Sequence, residues 1–265
     1  MTRSTMRLVM LCTKLSKSHT KFSDHFSVSL IHFVRIESYK MSTSVPPYLA
    51  VFQDPHDPGR IEPEDQEAPP LGARTARSFS EEDEDHVQML RHKAHEAAER
   101  GDLERALALL SEAVTVGVDL SLMYTRRAEI LLQLRRPVAA IRDADAALQA
   151  NPNLGRAFRV RGLACRALQR WEAAHADLAQ AQMIDYDEAL EQEHRHVDKI
   201  FAKTKNLENI YKAHPDLLND PKILQATMEI HDNPAAYMKY QSDPEIGPAL
   251  KKVMDTLGVS PATGA

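Results

Sequence analysis

A 34-residue period constrains this chain more than any other feature. Displacing residues 87–188 along themselves by 34 positions brings like onto like. Ala94, Ala128 and Gly162 fall at one phase; Ala106, Ala140 and Ala174 at a second; Ala113, Ala147 and Ala181 at a third. Small residues at fixed phases let helices cross closely, while larger apolar residues fill the gaps between crossings. The pattern therefore predicts stacked units of two antiparallel helices, A and B.

A period of this length with these phases is the signature of the tetratricopeptide repeat. The three repeats are read as 87–120, 121–154 and 155–188. In the first, Gly101-Asp102 makes the turn, and Leu103, Leu107, Leu110 and Val114 line helix B. In the second, Tyr124, Ala128, Leu131 and Leu134 line helix A, Pro137 opens helix B, and Asn151-Pro152 ends it. In the third, Phe158, Gly162 and Cys165 lie on helix A and Trp171 starts helix B. Cys165 falls at an inward phase, which predicts an inert core thiol. A stack of repeats leaves an apolar face open at its end. Residues 189–213 supply a cap: Leu190, Val197, Phe201, Leu207 and Tyr211 share one face, and Arg195, Lys199, Lys203, Lys205 and Lys212 the other.

The flanks differ in character. Residues 1–40 are basic and Ser/Thr-rich, with only Asp24 and Glu37 as acids. Three readings stay open for them: a mitochondrial transit-like address, a disordered tail, or a stretch upstream of a true initiator at Met41. Residues 41–86 carry seven prolines and two acidic runs, 62–67 and 81–85, and read as a solvated linker. The second run also suits the N-terminus of the first repeat helix through the backbone dipole. Residues 1–86 are thus expected to be disordered. From 214 to 258, Asp220-Pro221, Asn233-Pro234 and Asp243-Pro244 each predict the start of a short helix, the side chain capping and the proline filling the first position. The apolar residues between them, rich in methionine, predict either a pliable groove for apolar segments or a small helical core. Residues 259–265 read as a disordered tail. The fold class expected is all-α: three repeats, a capping helix and a small C-terminal helical domain.

Charge narrows the function. The net charge of -5 gives no global pull toward nucleic acid or anionic membranes, and no apolar run reaches the length of a membrane span. Cys12 and Cys165 have no close partners, which suits a reducing compartment, the cytoplasm. Basic residues concentrate on the A helices: Arg91, Lys93, Arg126, Arg127, Arg156, Arg159, Arg161 and Arg166. The B helices hold mainly acids. Because A helices line the concave face of such a superhelix, a basic groove for an acidic partner surface is expected, with about half of these arginines only lying along helix stems. No Gly-rich phosphate loop, Cys-x-x-Cys or nucleophile elbow occurs, so no enzyme and no cofactor are expected. His92 and His95 lack the order of a zinc-protease motif, and His194 and His196 point to opposite sides of their helix, so no metal site is read from the histidines.

Three blocks carry a further signal: the acidic Ile61-Glu-Pro-Glu-Asp-Gln-Glu-Ala-Pro; the repeat segments beginning at Pro137 and Trp171, with Asp185-Tyr-Asp-Glu; and Asn233-Pro-Ala-Ala-Tyr-Met-Lys-Tyr-Gln-Ser-Asp-Pro. Together they resemble the Hip family, co-chaperones of the constitutive seventy-kilodalton heat-shock chaperone, the last block being similar to that family's C-terminal aspartate-proline domain. The resemblance spans roughly residues 61 to 258. It implies binding to the chaperone's ATPase domain with preference for the ADP state, and contact of the C-terminal domain with unfolded clients. The family's dimerisation segment is not recognisable in residues 1–60, which leaves dimerisation open. Its Gly-Gly-Met-Pro repeats are also missing. Other co-chaperone repeats grip a Glu-Glu-Val-Asp tail with a clamp of Lys, Asn, Asn, Lys and Arg; the matching positions here are Arg91, His95, Arg126, Arg156 and Val160. Candidate partner-binding residues are therefore Arg91, His95, Arg126, Arg156, Arg159 and Arg166 in the repeats, and Lys199 and Lys203 on the cap.

Overall fold

The computed structural model describes residues 52–53, 57–72 and 79–258. The chain divides into two units, Met1–Pro46 and Pro47–Ala265, and every described residue lies in the second. The expectations about residues 1–40, Met41 and 259–265 fall outside the described residues.

The described part is all-α. Helices α1 (Glu81–Glu99) and α2 (Leu103–Val116) form the first A/B pair. Helices α3 (Leu120–Gln133) and α4 (Pro137–Ala150) form the second, and α5 (Gly155–Ala167) and α6 (Trp171–Ile184) the third. Each A helix packs on its own B helix, α3 and α5 also pack on the preceding B helix, and α3 meets α5. The small residues at all nine repeated phases are buried, with Ala106, Ala140 and Ala174 fully so.

The backbone repeats as faithfully as the side chains. At each A-to-B turn an N–H reaches back five residues to a carbonyl: Asp102 to Ala97 at 2.9 Å, Arg136 to Leu131 at 2.8 Å, and Arg170 to Cys165 at 2.8 Å. This bond marks the Schellman motif, which needs a left-handed residue just before the donor. Gly101, Arg135 and Gln169 occupy that position with φ of 80°, 58° and 55°. Only the first turn has the glycine that adopts it without steric cost.

Helix α1 starts six residues before the expected boundary. Ser80 and Asp83 form a reciprocal capping box, and Glu81, Glu82, Asp83 and Glu84 fill the first turn, where acids meet the positive end of the helix dipole. The cap of the repeats is α7 (Glu191–Ala213), entered through a 3-10 turn at Glu188–Leu190. It packs on α6 and buries Val197, Leu207 and Ile210.

Beyond α7 come α8 (Pro221–Asp232), α9 (Tyr237–Tyr240) and α10 (Gly247–Leu257). The Asp/Asn-Pro side chains all accept local amides, but only Asp220-Pro221 starts an α-helix; Pro234 opens a 3-10 turn, Pro234–Ala236, and Asp243-Pro244 makes a turn ahead of α10, which begins at Gly247 rather than at the proline. Asp220 accepts from the Lys222 N–H, Asn233 from Ala235, and Asp243 from Glu245 and Ile246. These two amides hold the Asp243 carboxyl below its usual range. The small core read from the sequence forms around Ala226, Ile230, Ala236, Ile246, Leu250 and Met254. Val253 instead joins a cluster with Val197 and Ile210, which ties this segment to the cap helix. The methionines do not share a setting: Met254 is buried and Met238 is exposed.

The acidic, proline-rich stretch differs from its expectation. Residues 57–72 form a strap along the repeats rather than a solvated linker. A proline-rich extended chain leaves its carbonyls without internal partners, and here the repeat arginines donate to them. Arg135 donates to the Arg60 carbonyl, Arg136 to that of Glu67, and Arg127 to that of Pro70. The Glu64 carboxylate accepts from the N–H groups of Val138 and Ala139, at 3.0 and 2.6 Å. It thereby caps α4, whose own N-cap residue, Arg136, makes no side-chain cap. Further back, Trp171 donates its indole N–H to the Phe52 carbonyl. Among the described residues, no helix is long and apolar enough to cross a membrane.

Candidate partner-binding groove

The A-helix arginines fall into two groups, decided by what stands opposite each. The first group is structural. Arg127, with no exposure, makes a two-pronged pair with Asp143 at 2.6 and 3.0 Å and also reaches the Ser111 hydroxyl. One period later Arg161 repeats the arrangement: two bonds of 2.7 Å to Asp177 and one of 2.6 Å to Asp145. The acid lies sixteen residues after the arginine on the same repeat's B helix, and the second partner sixteen before it on the preceding one. Each arginine thus ties one repeat to the next. Burial opposes charge on Arg161, but Asp177 and Asp145 outweigh it and raise its pKa further.

Arg166, expected among the partner-binding residues, belongs to this internal group. Its guanidinium grips both oxygens of Asp57 in the strap, at 2.9 and 3.1 Å, and its Nε donates to Glu193 at 3.0 Å. Burial raises the Asp57 carboxyl, but the Gly59 amide and Arg166 outweigh it and hold its pKa below 3.8. Cys165, the neighbouring residue, is buried, which pushes its thiol up to about 12.

The second group faces outward. Arg126 on α3 and Arg156 on α5 remain about two-fifths exposed, and both bond the same carboxylate, Glu129, at 3.4 and 2.9 Å. Arg159, one turn beyond Arg156, pairs with Asp187 at 2.9 Å. Arg91 on α1 is half-buried and makes no ion pair among the described residues. His95 lies near Glu99 at 3.3 Å, one turn along its own helix, and Val160 is buried. The structure thus brings Arg126 and Arg156 together through Glu129, a residue the sequence reading did not single out. Its spacing of three from Arg126 was a visible signal; its link to Arg156, 27 residues away, was not.

The two cap lysines form a separate place. Lys199 and Lys203 line a cavity of about 470 Å³ with His196, Ile200, Ala202, His231 and Asp232, between α7 and α8. Lys199 is exposed. Lys203 is paired with Asp232, whose carboxyl it holds below the usual range.

No family model matches the chain. The 58 kDa phosphoprotein of Plasmodium berghei is 40% identical over 130 residues, covering 49% of this chain and 31% of that protein. The chain thus spans about a third of that relative's length. Hsc70-interacting proteins 1 and 2 of Drosophila melanogaster are 27% identical over 257 residues, covering 78% of this chain and 67% of theirs. Among solved structures, the first tetratricopeptide domain of Spaghetti (RPAP3), bound to an HSP90 peptide, is 21% identical with a TM-score of 0.43, covering 44% of this chain and 94% of that one. This chain, an all-α stack of three A/B helix pairs, is similar to Hsc70-interacting proteins over most of its length.

Proposed function

We propose that the chain is a cytoplasmic, non-enzymatic co-chaperone that binds the ATPase domain of a 70 kDa heat-shock chaperone through its A-helix groove and cap helix. The observation that carries this reading is the similarity to Hsc70-interacting proteins over 78% of the chain, a larger share than the repeats and cap helix fill together. Arg91, Arg126, Arg156, Arg159 and Lys199 are the contact residues, because each keeps exposed cationic surface. A partner that prefers the ADP-bound chaperone shifts the equilibrium toward that state and prolongs client holding. The C-terminal helices, with Met238 exposed, then touch unfolded client segments.

Reversing charge with Arg156→Glu and Arg159→Glu together tests the groove. Affinity for the ATPase domain should fall by more than about tenfold, as expected when charge pairs across an interface become repulsive. Unchanged affinity removes the groove from the contact.

A second reading, an adaptor gripping a Glu-Glu-Val-Asp tail, draws support from Arg91 and Arg156 at the clamp's two lysine positions, with Arg126 as a further cation in place of its second asparagine. Against it, Glu129 already occupies two of them and Val160 replaces the last base with a buried apolar side chain. Glu129→Gln separates the two. Under the adaptor reading it frees both arginines and strengthens binding of the tail peptide; under the ATPase-domain reading the peptide stays silent.

A further inference from the structure

Three side chains that carry ligand chemistry meet between the last repeat and its cap. His175 comes from α6, and His194 and Asp198 from α7. His194 and Asp198 are four residues apart and therefore share one face of their helix. His175 Nδ1 lies 2.7 Å from Asp198 Oδ1, and His194 Nε2 lies 3.5 Å from the same oxygen. All three donor atoms fall within 4.8 Å of one another. The His175 ring is held by parallel stacking on Phe201, with centroids 4.1 Å apart and planes at 12°. Phe201 is also on α7, one turn beyond Asp198, so one helix face supplies two donors and fixes the ring of the third. His194 Nε2 is buried and has no hydrogen-bond partner.

We propose that His175, His194 and Asp198 form a binding site for one divalent transition-metal ion of the zinc class. Two imidazole nitrogens and one carboxylate oxygen suit such an ion, whereas calcium and magnesium favour all-oxygen sets. Tetrahedral zinc, with bonds of about 2.0–2.2 Å, sets its donors about 3.3 Å apart. The separations of 2.7 and 3.5 Å bracket that value. Water fills the fourth position. The bound ion replaces the hydrogen bond between His175 and Asp198 and gives His194 Nε2 the partner it lacks. Because the ligands come from both α6 and α7, it fastens the capping helix to the last repeat.

The test is calorimetric titration of Zn²⁺ into the metal-stripped full chain, with His92→Ala as a control for exposed histidines elsewhere. One saturable equivalent is expected, unaffected by His92→Ala. His175→Ala and His194→Ala should each weaken it by at least the ~10-fold that loss of even an outer partner costs. Zinc at about a hundred times its Kd should raise the Tm by about 5 °C or more. In the unsubstituted chain, Co²⁺ should give the visible absorption bands of a tetrahedral site, a readout that does not depend on how the variants fold. Absence of a saturable equivalent, an equivalent unchanged by His175→Ala with His194→Ala, or Co²⁺ spectra of a hydrated octahedral ion would each overturn the proposal.

Discussion

At the residue scale, the arginines divide by what they face rather than by what they are. Arg127 and Asp143 are both fully buried, so removing either leaves an uncompensated charge in the core. Arg127→Ala is expected to cost about 3–5 kcal/mol in denaturant unfolding, whereas Arg127→Met with Asp143→Leu should cost much less, because no lone charge remains. Composition and phase showed where the arginines lie, but not which of them are spent internally. Arg126 and Arg127 are adjacent in sequence, yet one retains exposed surface and the other has none. The cysteine gives a simpler test. Burial pushes the Cys165 thiol up to about 12, which leaves almost no thiolate at pH 8. In a Cys12→Ser chain, alkylation at pH 8 should be slow in the native state and fast once the chain is unfolded. Rapid native labelling would show that Cys165 is accessible. Its core position was legible in the sequence, since phase alone placed it inward.

At the element scale, helix crossings and the strap make separate predictions. A Cβ on Gly162 would sit 2.7 Å from Leu178 Cδ2 and 2.9 Å from its Cγ, while Leu178 is fully buried. Gly162→Ala should therefore overpack the crossing of α5 and α6 and cost about 1–3 kcal/mol, even though Ala94 and Ala128 serve at the same phase. Those crossings were legible because residue size at a fixed phase sets how close two helices come. The strap was not. Its prolines and acids read as a chain unable to bury itself, and the sequence did not reveal that repeat arginines would take up its free carbonyls. Asp57 makes the strap sensitive to acid. Its carboxyl pKa is depressed in the fold, so its stabilising share is complete above the ordinary value of 3.8 and is lost as pH falls through the lower folded value. Trp171 is the single tryptophan, and its ring lies 5.9 Å from the Arg166 guanidinium that grips Asp57, so its fluorescence reports that end of the strap. Asp57→Asn at neutral pH should reproduce the acid-induced change in emission; an unchanged spectrum in the variant would detach Asp57 from strap docking.

At the scale of the whole second unit, three repeats, a cap and a C-terminal helical cluster present two cationic places, the A-helix face and the cavity under α7. The repeat order, the cap and the helix start at Asp220-Pro221 could be read in sequence, since each rests on local spacing, whereas Asp243-Pro244 makes a turn and α10 begins only at Gly247. The groove's internal acid, Glu129, and the grouping of His175 with Asp198 depend on tertiary neighbours 27 and 23 residues away, which spacing does not reveal. The cations of the groove bear the functional claim, and the most direct measurement is calorimetric titration of the full chain into the isolated ATPase domain of a 70 kDa heat-shock chaperone, with ADP and then with ATP, beside a parallel titration of the Glu-Glu-Val-Asp peptide. Saturable binding is expected, tighter with ADP and weakened by Arg156→Glu with Arg159→Glu, with no heat from the peptide. Binding of the peptide with none to the ATPase domain would contradict this and make the protein a tail-gripping adaptor.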